Sequence, residues 1–64
     1  MPAQWTGEVI GEMHVAGVTA KQLAEELGVT AAYLSMIFSG ARTPKDAEAN
    51  VREALGRLKA RASV

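Results

Sequence analysis

Residues 18–40, VTAKQLAEELGVTAAYLSMIFSG, read as two short helices joined by one tight turn. Thr19 is placed to cap the first helix, because its side-chain oxygen can accept an N–H of the opening turn. Gln22, three residues on, can reach back to complete a capping box. At about 100° per residue, Ala20, Leu23, Ala24 and Leu27 share one face and Lys21, Gln22, Glu25 and Glu26 the other, the pattern of a half-buried helix. Gly28 stands where a helix C-terminus wants a residue that tolerates positive φ. Thr30 can then cap a second helix whose apolar stripe is Leu34, Ile37 and Phe38 and which ends at Gly40. With only Gly28 to Thr30 between them, the two helices must meet at a steep angle.

Ala24 falls where the second helix crosses the first, and a longer side chain there would push the two apart. Ala24, Gly28, Val29, Leu34 and Ile37 reproduce the small, glycine and apolar positions of the DNA-binding helix-turn-helix. In them the chain resembles phage repressors of the Cro/C1 type and the larger Xre-like family. SGARTP, residues 39–44, is similar to the loop that leaves the recognition helix in that family. The resemblance covers residues 7 to 60 and extends to the short helix-turn-helix proteins of phage and mobile-element gene clusters. It implies an all-α, compact, lambda-repressor-like four-helix bundle, with helices over about 7–16, 20–27, 31–39 and 44–62 in one domain, 1–64.

Working outward, Thr6 is the expected cap of the first helix and residues 1–5 an expected frayed leader, although Trp5 is too large an apolar body to be left in water. Trp5, Val9, Met13 and Ala16 share one stripe, with Ile10 at its margin. Gly7 and Gly11 lie off that stripe and each costs about 0.5–1 kcal/mol against alanine; close approach of a second subunit or of DNA is one reason for them. His14, the only histidine, is expected on the surface, since no acid or thiol partner stands at metal or catalytic spacing. On the other side, Thr43-Pro44-Lys45-Asp46 supplies a cap, a first-turn proline and an acid for a last helix. That helix carries the stripe Ala47, Val51, Ala54, Leu55, Leu58 and Ala62 and the i,i+4 pairs Glu48/Arg52 and Glu53/Arg57. Family members often have a fifth helix; here the long fourth is expected to replace it and to serve the dimer.

Sixty-four residues bury only about 60% of the surface an unfolded chain exposes, so dimerisation is an expected source of further stability. The absence of cysteine removes disulfides and thiolate zinc sites. No apolar run approaches the roughly 20 residues of a membrane span, and the N-terminal residues do not read as a signal, so a cytoplasmic protein is expected. The formal charge is zero, an awkward value for a DNA-binding domain. Its distribution is uneven: residues 1–28 sum to minus three, 29–45 to plus two and 46–64 to plus one.

By resemblance, the second helix of the motif enters the major groove of double-stranded DNA, which puts Thr30, Ala31, Ala32, Tyr33, Ser35 and Met36 at the bases. Lys21, Ser39, Arg42 and Lys45, with Arg52 as a further candidate, would hold phosphates. The helix lacks Arg, Lys, Asn and Gln, so bidentate readings of guanine and adenine are unavailable to it. Apolar contact with thymine methyls and the hydroxyls of Ser35 and Tyr33 remain. The glutamine that the family often uses on phosphate is replaced by Ala20. A dimeric repressor on a short palindromic operator is the expected function. The alternative keeps Ala31, Ala32 and Met36 as plain helix surface, or as the docking face of a small inhibitor or adaptor that binds a host protein through Tyr33 and Met36. No enzyme, cofactor or metal is expected: Ser35 and Ser39 lack a base, and no phosphate loop or metal spacing is present.

Overall fold

Four helices follow in order: α1 Gln4–Ala16, α2 Ala20–Leu27, α3 Ala31–Ser39 and α4 Ala47–Ala62. The structure, a computed structural model, describes residues 3–62, and no strand occurs among them. Packing runs between α2 and α4, α1 and α4, and α2 and α3, so α1 and α2 lean on α4 and α3 leans on α2.

The capping box at α2 is complete. The Gln22 amide donates to Thr19 Oγ1 at 3.1 Å and the Thr19 amide to Gln22 Oε1 at 2.9 Å. Gly28 closes the helix at φ 76°, where its own amide bonds Glu25 O and the Val29 amide bonds Ala24 O at 3.0 Å. That reversal aims the chain straight into α3, whose cap Thr30 accepts from the Tyr33 amide at 3.0 Å.

The core joins all four helices: Val9 and Met13 of α1, Leu23 and Ala24 of α2, Leu34 of α3, and Val51, Ala54 and Leu55 of α4. Leu23, Leu34, Val9 and Val51 are fully enclosed. Each such side chain contributes about 1.5–3 kcal/mol by leaving water. Trp5, Val18, Leu27, Val29, Phe38 and Leu58 pack around them, half-buried. Ala20, expected on the buried face of α2, is exposed at its first turn. The side chain of Ala62, like Met1 and Pro2 of the expected leader, lies outside the described residues.

Two boundaries differ from the sequence expectation. α1 starts at Gln4 rather than residue 7, behind an Ala3 cap with no side-chain bond. Thr6 is not the cap: it is buried inside the first turn and its hydroxyl donates to Ala3 O at 2.6 Å. A missing side-chain cap costs about 1 kcal/mol, whereas half-burying an indole contributes about 2 kcal/mol. Extending the helix to carry Trp5 onto the core therefore wins.

α4 starts at Ala47, one turn after the expected residue 44. The Ala47 amide bonds Pro44 O at 3.1 Å in a tight turn, and the Asn50 amide then bonds Asp46 O at 2.9 Å. Residues 41–46 are all exposed and Ala47 is the first buried one, so no apolar contact rewards an earlier helix.

Candidate nucleic-acid interface

The outward side of α3 exposes Ala31, Ala32, Ser35 and Met36, with Met36 40% accessible. Leu34 and Ile37 of the same helix are turned into the protein. The i,i+3 and i,i+4 alternation thus leaves one clean outer stripe, and it carries four of the six residues expected at the bases. Thr30 stands at the head of that stripe with its hydroxyl oxygen engaged by the Tyr33 amide. Tyr33 sits apart from the others. It is half-buried and lines an apolar groove with Val29, Ile37 and Val51, between α3 and α4, so its ring flanks the stripe.

The end of α3 is tied to the chain that follows it. The carbonyl of Met36 accepts from the Ser39 hydroxyl and from the Arg42 amide, each at 3.1 Å, while the Ala41 amide donates to Ser39 Oγ at 3.4 Å. Gly40 makes the reversal possible at φ 87°. The only proton of the Ser39 hydroxyl is therefore spent on Met36, and Ser39 acts on the loop carrying Arg42 more directly than on any external phosphate.

Charge pairing decides which cations a chain of zero net charge leaves unpaired. Arg52 holds Glu8 at 2.9 Å, Glu48 at 3.0 Å and Glu12 at 3.6 Å. Arg57 holds Glu53 at 2.7 Å and Glu26 at 2.8 Å, Arg61 bonds Glu26 as well, and Lys59 bonds Glu12 at 3.2 Å. Every cation of α4 is thus committed to carboxylates, most of them on α1 and α2. This corrects the expectation for Arg52, whose guanidinium is paired with three acids; the hydrogen bonds it donates to Glu8 and Glu48 raise its pKa. Among the described residues Lys21, Arg42 and Lys45 make no ion pair. All three are exposed, Lys21 in the first turn of α2 and the other two in the connection after α3. They bracket α3 along the chain.

The long-range pairs were missed in the sequence, where only the i,i+4 partners were visible. Glu26 meets Arg57 and Arg61 only because α2 packs on α4, and spacing in the chain carries no trace of it. His14 is exposed on α1 as expected. No atom comes within 4 Å of where a Cβ would stand on Gly7 or Gly11, so nothing inside the described chain accounts for those glycines. No group of three or more His, Cys, Asp or Glu among the described residues is arranged to hold a metal ion, and no described helix is long and apolar enough to cross a membrane.

Two capped helices about one glycine reversal, an outward stripe on the second and unpaired cations on either side define a helix-turn-helix of the DNA-binding kind. The Helix-turn-helix family model of Cro/C1 type matches residues 16–50, more than half of the chain. The protein belongs to that family and is a DNA-binding transcriptional regulator. No curated protein and no solved structure matches the chain.

Proposed function

We propose that the protein is a repressor that occupies a short palindromic operator as a homodimer in the cytoplasm, without catalysis of its own. The observation that carries this reading is the partition of charge: the cations of α4 are consumed by acids, and the unpaired Lys21, Arg42 and Lys45 flank α3. Thr30, Ala31, Ala32, Ser35 and Met36 meet base edges, with Tyr33 at the flank. Lys21, Arg42 and Lys45 hold phosphates. The contacts available to Ala31, Ala32 and Met36 are apolar and suit thymine methyls, so each subunit discriminates modestly. Two subunits on half-sites about 34 Å apart multiply that discrimination, which is why a dimer is part of the reading.

The test is selection from a mixed pool of duplex DNA followed by sequencing. Enrichment of a palindrome with T-rich half-sites supports the reading. Retained DNA with no sequence in common would reduce it to non-specific binding, and Met36→Ala should alter the enriched half-site without abolishing retention.

A further inference from the structure

A groove of about 170 Å³ runs between the first turn of α1 and the connection that leaves α3. Trp5 forms one side, Arg42, Thr43, Pro44 and Lys45 the other, and Glu48 stands at its α4 end. Trp5 is held there because its ring also packs on the core. Arg42 and Lys45 carry no ion pair among the described residues. The acid on the wall, Glu48, is taken by Arg52, whose Nε lies 3.0 Å from its carboxylate.

By residue type, the polar lining is rich in hydrogen-bond donors, with a guanidinium, an ammonium, the Thr43 hydroxyl and an indole N–H set against the one carboxylate of Glu48. A phosphodiester has acceptors and a negative charge but no donor, and it is the complement of that set. Ile37 and Gly40, at the end of α3, also line the groove, so an anion seated in it lies beside the C-terminal end of that helix.

We propose that this groove seats a DNA backbone phosphate next to the base pairs read by α3, with Trp5 as a contact residue opposite Arg42 and Lys45. Arg52 is its positioning residue, holding Glu48 so that the carboxylate does not repel the phosphate. The proposal rests on the reading of α3 as the base-contacting helix.

Trp5 is the only tryptophan, so its emission reports on the groove without a label. Acrylamide quenching is measured with and without mixed-sequence duplex DNA at about 50 mM salt, where phosphate contacts are strong. DNA should shield Trp5. Trp5→Phe should weaken binding about fivefold, the worth of one net hydrogen bond. Its salt slope should stay unchanged because a neutral donor releases no counterion, whereas Lys45→Ala should lower the slope by about one. Arg52→Met should weaken binding, and adding Glu48→Gln should restore it; a merely structural role for Arg52 predicts no such rescue. Bound DNA that leaves both Trp5 quenching and the Trp5→Phe affinity unchanged overturns the site while sparing the function. Shielding by inorganic phosphate but not by DNA overturns the assignment to DNA. No DNA binding at all refutes the base-reading helix and this groove together.

Discussion

Arg57 of α4 places its Nε 2.8 Å from the Glu26 carboxylate of α2, and Arg61 bonds the same carboxylate from one turn further on. The Glu26 side chain is only 18% accessible, so this pair is less screened than an open surface bridge. The hydrogen bond from Arg57, then that from Arg61, holds the Glu26 carboxyl below the usual glutamate value of 4.5.

A depressed folded-state pKa makes stability present above the unfolded value and lost as pH falls through the folded one. Thermal melts should therefore lose stability as pH drops below about 4.5, and Glu26→Gln should flatten that acid limb while lowering Tm at pH 7. An acid limb identical in the variant would remove Glu26 from the account.

Ala24 is 2% accessible and sits in the core shared by all four helices. Ala24→Leu should cost about 1–3 kcal/mol by overpacking, a fall of roughly 4–8 °C in Tm for each kcal/mol in a domain of this size. An unchanged melting temperature would contradict the tight crossing.

Gly11 is exposed on α1 with nothing within 4 Å of a Cβ position. Gly11→Ala should stabilise the monomer by about 0.5–1 kcal/mol through helix propensity. If it instead lowers Tm and dissociates an assembly at sedimentation equilibrium, that face of α1 is packed against a second copy.

Ser39 bonds the Met36 carbonyl that also receives the Arg42 amide. Ser39→Ala should weaken DNA binding about fivefold by loosening the loop, and it should have little further effect in an Arg42→Ala background. Losses that simply add would make Ser39 a direct phosphate contact, its role by family resemblance.

The helix-turn-helix was legible because its signals are local. Thr19, Gln22, Gly28, Thr30 and Gly40 act on groups within four residues of themselves, and the helices they bound fall where those residues put them. The outer boundaries were less legible, since the start of α1 depends on Trp5 finding the core and the start of α4 on Ala47 doing the same. Thr6 illustrates the failure: a good cap by type, it became a buried turn residue because a distant contact outweighed a local one. The unpaired cations of the interface were visible as residues but not as unpaired. Arg52 shows only its i,i+4 partner Glu48 in sequence, and it takes the packing of α1 on α4 to deliver Glu8 and Glu12 to it and not to Arg42.

Phosphate clamping by the unpaired cations that flank α3 is read most directly from the salt slope of duplex binding, measured for the native protein and for Arg42→Ala between about 50 and 200 mM salt. Binding by the native protein should be salt-sensitive, with Arg42→Ala weaker on every sequence and its slope shallower by about one. An Arg42→Ala variant with native affinity and slope would contradict the clamp. Binding absent even at the lower salt would contradict the DNA-reading role of α3 and turn attention to a protein partner for Tyr33 and Met36.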